Sequence, residues 1–167
     1  VMLLHRPDLL MDPDEVAEAF ELLYSSGKVR SFGVSNFTPS QIKLLQSTVP
    51  VGVHQLEISV KDVSAFDDGR LDQCTLDGIV PMAWSPLGGG NLPEGVASVL
   101  GSLASEFGVT PQAIALAWLL QHPAGILPVI GTTKAENLEA AQTALNIKLD
   151  RQQWYTIYQA ATGIRLP

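Results

Sequence analysis

A chain of 167 residues has the length of one domain or a large part of one. Apolar residues make up 46% and charged residues 16%, which supplies a sizeable core and excludes a disordered tail. The 17 acidic and 10 basic residues leave a formal net charge of −7, which argues against a nucleic-acid partner, and a single cysteine, Cys74, excludes an internal disulfide framework and a multi-cysteine zinc site. No apolar run reaches membrane-spanning length and no secretory leader is visible, so the expectation is a cytoplasmic protein with neither a membrane partner nor a bound metal.

Val1–His5 opens the chain as an apolar strand with no cap or turn ahead of it, and reads as a strand entered partway. Asp12-Pro13-Asp14-Glu15 carries helix-start chemistry: an N-cap carboxylate, a proline at the first helical position and acids in the first turn. Val16, Ala19, Phe20 and Leu23 recur at helical spacing until Gly27-Lys28. Phe32–Asn36 predicts a second strand, and Thr38-Pro39 with Gln41 opens a helix through Leu45. Val51–Ser59 predicts a third strand, followed by a polar loop and a short helix near Leu71–Leu76. Ile79–Ser85 predicts the fourth, ending at Pro86-Leu87-Gly88-Gly89-Gly90. Helices near Val96–Phe107 and Gln112–Gln121 follow, the second opened by Thr110-Pro111 and stopped by His122-Pro123. His122 there reads as a cap facing the helix dipole. Ile126–Ile130 predicts the fifth strand, and Lys134–Ala144 and Arg151–Ala161 the closing helices. No low-complexity stretch or linker interrupts the series, so residues 1–167 read as a single domain.

Strand–helix alternation with short apolar strands implies an α/β fold built on a parallel sheet. A doubly wound sheet and an eightfold barrel compete. No strand leads into glycines spaced G-x-G-x-x-G, and Gly88-Gly89-Gly90 lacks that spacing. The polar residues sit at strand ends instead, His5, Ser35-Asn36, Gln55, Trp84-Ser85 and Gly131-Thr132, on the rim where barrels build their sites. A complete barrel takes about 250 residues, so this length holds roughly five βα units. The expectation is a partial (β/α)8 TIM barrel with a C-terminal helix.

Five motifs then occur in order: Leu3-Leu4-His5-Arg6-Pro7-Asp8, Gly27-Lys28-Val29-Arg30-Ser31-Phe32-Gly33-Val34-Ser35-Asn36-Phe37, His54-Gln55-Leu56-Glu57, Trp84-Ser85-Pro86-Leu87 and Val129-Ile130-Gly131-Thr132-Thr133-Lys134. Together they resemble the aldo-keto reductases, and Trp154-Tyr155 with Ala161-Thr162-Gly163 is similar to a bacterial oxidoreductase subgroup of that family. The resemblance runs the length of the chain but covers only strands four to eight of the family's barrel. It implies NADPH-dependent reduction of aldehydes or ketones, NADH also being possible. Hydride passes from nicotinamide C4 to the carbonyl carbon, and a tyrosine protonates the alkoxide. A lysine lowers that tyrosine's pKa, an aspartate holds the lysine, and a histidine orients the carbonyl. His5 matches the histidine. The tyrosine, lysine and aspartate belong to strands outside these 167 residues, and Tyr24, Tyr155 and Tyr158 fall in predicted helices. Since general acid catalysis contributes roughly 10²–10⁴-fold, the chain alone is expected to be close to inactive.

Each residue also has a plainer reading. His5 suits a hydrogen-bonded strand end, which the surrounding motif outweighs. His54 and Gln55 alternate, so one alone faces the interior, and Gln55 is the choice. Ser35 and Asn36 fit any strand-ending turn, yet with Gln55 they match the family's nicotinamide carboxamide contacts. Trp84 suits core packing, whereas the resemblance, with Ser85, Pro86 and Leu87 following, makes it a shelf for the nicotinamide ring. Many members carry tyrosine at that position, so the tryptophan marks a subgroup. Gly88 is a loop glycine that would let backbone approach a pyrophosphate. Thr133 with Glu136 reads as a capping box. That helix start, with Gly131, Thr132, Thr133 and Lys134, also suits the 2′-phosphate of NADPH. Asn137 stands where many members have a phosphate-contacting arginine, and Ala141 where they have an adenine-contacting asparagine.

Five parallel strands leave two open edges and an uncovered face. The chain is therefore expected to self-associate or to pair with the missing N-terminal half of the barrel. The alternative to a reductase is a non-catalytic, self-associating half-barrel with residual or no cofactor binding. A cofactor-sensing subunit descended from the reductases is a further reading.

Overall fold

The computed structural model describes residues 1–165. Five strands, β1 (Met2–Leu4), β2 (Phe32–Ser35), β3 (Val53–Glu57), β4 (Val80–Trp84) and β5 (Leu127–Pro128), form one sheet in the order β1-β2-β3-β4-β5. Every neighbouring pair is parallel. The order never reverses, as it must in a doubly wound sheet, so the barrel expectation holds and the molecule is a partial α/β barrel.

Helices connect successive strands. α1 (Pro13–Ser25) is capped by Asp12, whose side chain accepts from Asp14 N. α2 (Pro39–Leu45) begins with a complete capping box between Thr38 and Gln41. α3 (Arg70–Asp77) ends at Gly78. α4 (Glu94–Phe107) and α5 (Pro111–Leu120) both lie between β4 and β5. Thr110 caps α5 by accepting from Ala113 N. α6 (Ala135–Gln142) continues into a 3₁₀ turn at Thr143–Asn146, splitting the single predicted helix. α7 (Arg151–Thr162) starts with a capping box between Asp150 and Gln153.

The strands are shorter than their apolar runs. β3 stops at Glu57 because Ser59, fully buried, turns the chain away, its Oγ accepting from Lys61 N and Asp62 N. β5 is two residues long, and Pro128 brings no N–H to its ladder.

The pleat sorts side chains onto two faces. Met2, Leu4, Phe32, Val34, Leu56 and Ala83 point at the helices and join their apolar residues in two clusters. One gathers Phe20, Phe32, Val34, Ile42, Leu45 and Cys74; the other gathers Leu56, Ala83, Leu100, Trp118 and Ile157. α5 is buried from Ala113 to Leu119, enclosed by neighbours all round. The opposite face runs in rows set by register: Leu3, Gly33, Val53 and Val80, then Ser35, Gln55 and Met82, then Glu57 and Trp84. Gly33 is required in the first row, because a Cβ there would run into the Val53 carbonyl and lie 2.6 Å from Leu3 Cδ2.

The outer layer is tied by polar atoms as well as packing. Trp118 and Trp154 stack at 5.1 Å between ring centroids, and Phe66 lies against both. His122 is not the dipole-facing cap expected from its place after α5. Its Nδ1 accepts from Ala124 N at 3.2 Å, its ring meets Phe66 edge-on, and burial lowers its pKa, all of which favour neutral imidazole.

Candidate active-site rim

The carboxyl ends of the strands carry the polar residues. Ser35 ends β2 buried, and Asn36 follows in the left-handed region at φ 59°. Asn36 N donates to Gln55 O at 2.9 Å, and its Nδ2 donates to Ser35 Oγ at 3.1 Å. Trp84 ends β4 and donates its indole Nε1–H to Asn36 Oδ1 at 3.0 Å, spanning the end of β3. Ser85, next in the chain, is at φ 48°. Gln55 lies half-buried on the open face, while His54 is fully buried on the helix side, as the alternation along the strand predicts.

His54 Nδ1 sits 3.9 Å from Cys74 Sγ, and its Nε2 is buried without a partner. Burial, reinforced by the Arg70 charge, pushes the His54 pKa down to about 4. Burial, reinforced by Asp77, pushes the Cys74 thiol up to about 11. Both groups are neutral near pH 7, and the thiol is no ready nucleophile. Tyr158 donates its hydroxyl to Asp67 Oδ2 at 2.7 Å, and that bond, with burial, raises its pKa to about 12. It lies in the outer helix layer, where it cannot replace a rim acid.

A cleft of about 740 Å³ opens beside Trp84 between the loops that follow β4 and β5. Of the sequence-selected residues, Trp84, Ser85, Pro86, Leu87, Gly131, Thr132 and Asn137 line it. Ser35, Asn36 and Gln55 adjoin it through the Asn36–Trp84 bond. Gly88 lies outside the lining, buried at φ 60° with Lys61 and Leu92 where a side chain would start. Thr133 and Lys134 are exposed at the start of α6, also outside the lining. His5 is exposed immediately after β1, on the same rim.

The Thr133–Glu136 capping box does not form. Lys134 is the N-cap of α6 and makes no side-chain cap bond. Thr132 takes over the local role, its Oγ1 accepting from Lys134 N at 3.2 Å and from Asn137 Nδ2 at 3.0 Å. The helix starts one residue later than the box requires, which puts Glu136 at the second helical position, out of reach of its partner. Sequence reasoning missed the wall opposite the β4 loop, where Thr110, Pro111 and Gln112 at the start of α5 line the cleft. Thr110-Pro111 marked a helix start, but the folding of that start back against the rim depends on the α4–α5 packing.

A sequential parallel sheet whose carboxyl-end loops enclose a cleft defines a barrel protein with its candidate site at the rim. The chain belongs to the aldo/keto reductase family, whose profile matches residues 1–162. It is 44% identical to the uncharacterized oxidoreductase YcsN of Bacillus subtilis, over 100% of this chain and 59% of that protein. It is 45% identical to the oxidoreductase YdhF of Escherichia coli, over 100% of this chain and 59% of YdhF. It is 43% identical to a 6-dehydroglucose reductase of Novosphingobium aromaticivorans, over 98% of this chain and 57% of that protein. The chain thus spans less than two thirds of the length of these relatives. Among solved structures, an aldo/keto reductase from Klebsiella pneumoniae in complex with NADP and acetate superposes with a TM-score of 0.84 at 28% identity, covering 95% of this chain and 57% of that one. A thermostable aldo-keto reductase bound to the inhibitor epalrestat reaches 0.90 at 27% identity, covering 95% and 59%.

Proposed function

We propose that this chain supplies the cofactor-facing part of an NAD(P)H-dependent reductase of aldehydes or ketones. The observation that carries the reading is the cleft that runs from Trp84 to Thr132 and Asn137. Its chemistry suits a dinucleotide. At one end is the Trp84 ring, with the amide and hydroxyl groups of Gln55 and Ser35 adjoining it through Asn36. At the other are the Thr132 hydroxyl and a helix start beside Lys134, for which no carboxylate lies in ion-pairing range among the described residues. The NADP-bound neighbour supports a nicotinamide cofactor, and the relative named for 6-dehydroglucose agrees with a carbonyl substrate. When bound, the cofactor supplies hydride to a carbonyl carbon.

In this reading the chain's own residues bind and orient. Trp84 presents its ring to the nicotinamide, with Ser35, Asn36 and Gln55 at the carboxamide end. Ser85, Pro86 and Leu87 shape the wall along the pyrophosphate, and Gly88, just outside the lining, lets the loop backbone approach it. Gly131, Thr132, Thr133, Lys134 and Asn137 hold the adenosine phosphate, and His5 orients the substrate carbonyl. The family resemblance assigns the proton donor to strands ahead of this segment. Activity is accordingly proposed for the whole barrel, with these 167 residues close to inactive by themselves.

Titration of the 167-residue chain with NADPH, followed by quenching of tryptophan emission, tests the reading. Saturable quenching that is lost in Trp84→Ala supports it. Absence of binding overturns it for this chain and favours a non-catalytic half-barrel, a reading supported by the open edges of β1 and β5 among the described residues.

A further inference from the structure

The loop after β4 changes from cleft wall to support at one residue. Ser85, Pro86, Leu87, Gly89 and Gly90 line the cleft, whereas Gly88 is buried behind them. Gly88, Gly89 and Gly90 all lie at positive φ, and nothing comes within 4 Å of where a side chain would start on Gly89 or Gly90. A glycine run has no side chains of its own to hold it, so it depends on its hydrogen bonds and on whatever packs against it. At Gly88 a neighbour does: a Cβ there would lie 3.0 Å from Lys61 Cβ, 3.1 Å from Leu92 Cδ2 and 3.5 Å from Lys61 Cδ. The Lys61 stem thus runs along the Gly88 backbone, while its exposed ammonium has no carboxylate in ion-pairing range among the described residues. Lysine stems cover neighbouring surface in this way while the charge stays in water.

Lys61 is itself fixed. Ser59, fully buried, accepts at Oγ from Lys61 N at 3.0 Å and from Asp62 N at 3.1 Å. Farther along the same segment, Phe66 packs against Trp118, Trp154 and Tyr158, and Asp67 Oδ2 accepts the Tyr158 hydroxyl at 2.7 Å. The segment between β3 and α3 is therefore anchored on either side of Lys61. We infer that Lys61 is a positioning residue for the loop after β4: its aliphatic stem, and not its charge, holds Gly88 and so sets Gly89 and Gly90 in the cleft wall. The consequence for cofactor release rests on the nicotinamide reading of the cleft.

Stopped-flow measurement of NADPH dissociation from the 167-residue chain separates stem from charge. Lys61→Ala removes the stem beyond Cβ and should speed dissociation by about three- to ten-fold, the size of one or two methylene contacts. Lys61→Met keeps an unbranched stem without the charge and should restore the parent rate. Equal losses in the two variants overturn the inference, because the ammonium would then be what matters. A parent-like rate in Lys61→Ala overturns it as well.

A second readout needs no cofactor. Gly88 N donates to Ser85 O at 2.8 Å, so exchange of the Gly88 amide with deuterium reports how firmly the base of the loop is held. Lys61→Ala should speed that exchange, and Lys61→Met should leave it as in the parent. Unchanged Gly88 exchange in Lys61→Ala overturns the positioning role even if NADPH binds. A parent chain that fails to bind NADPH overturns the cofactor reading instead, and the Gly88 amide still reports whether the Lys61 stem holds the loop.

Discussion

Trp118 and Trp154 each donate an indole N–H to the other's backbone carbonyl, at 3.1 and 3.0 Å, so that α5 and α7 are locked face to face by a reciprocal pair. Trp118 is also fully buried. Trp118→Phe keeps most of the packing but removes the indole donor to the Trp154 carbonyl, which retains its place in the α7 ladder, at a cost of about 0.5–1.5 kcal/mol. Trp118→Ala adds a cavity and should cost about 3–5 kcal/mol. Urea midpoints of the two variants should fall in that order; equal midpoints would show that the hydrogen-bond pair contributes nothing beyond bulk.

The buried His54 makes stability depend on pH in a defined window. Its folded pKa of about 4 lies below the ordinary 6.5, so the unfolded chain binds the proton first as pH falls. Stability is unaffected above pH 6.5 and declines from there to about pH 4, by an amount on the order of 3 kcal/mol. Because Nε2 has no partner, His54→Leu should be tolerated at pH 7 and should flatten the slope between pH 6.5 and 5, ahead of the carboxylates. Denaturation at pH 7, 6 and 5 checks this, and an unchanged slope would remove His54 as its source.

Gly33 is the tightest point of the open face. Gly33→Ala would force β2 away from Val53 and Leu3, an overpacking expected to cost about 1–3 kcal/mol or more. Thermal unfolding would register it, and a wild-type melting temperature would mean that the β1–β2–β3 spacing relaxes freely.

Lys134 is exposed, so its contact with a 2′-phosphate is worth at most about 1 kcal/mol. Lys134→Ala should weaken NADPH binding by roughly three- to five-fold and leave NADH binding almost unchanged, with the difference shrinking at high salt. Equal losses for the two cofactors would place the lysine's role elsewhere. His5→Ala should leave NADPH affinity near that of the parent, because its proposed contact is with the substrate.

The 167-residue chain in isolation presents Leu127 and Val80, 50% and 39% exposed, beside the open edge and face of the sheet. Sedimentation should find it dimeric or larger. A monodisperse monomer that unfolds cooperatively would contradict this.

Much of the architecture was legible because it is local. Asp12, Thr38 and Thr110 cap helices through atoms two or three residues away, and the His54–Gln55 alternation follows from the pleat alone. Five motifs in order were enough to identify the family. The Thr133–Glu136 box shows where local pattern stops deciding: the helix starts one residue later than that box requires, and the bonds Thr132 makes to Lys134 and Asn137 accompany the later start. His122 likewise took its role from Phe66 and Ala124 instead of from the helix end it follows. The start of α5 in the cleft wall and the Asn36–Trp84 bond depend on which strands lie side by side and in what register. Asn36 and Trp84 are 48 positions apart, and they meet only because β2 and β4 flank β3, with β4 running two residues past the row in which β2 ends. Sequence determined the elements, their caps and the family, since those rest on short-range sterics and periodicity. Tertiary packing decided which polar atoms face one another at the rim, because a hydrogen bond needs its partners within about 3 Å and nothing in chain spacing sets that distance.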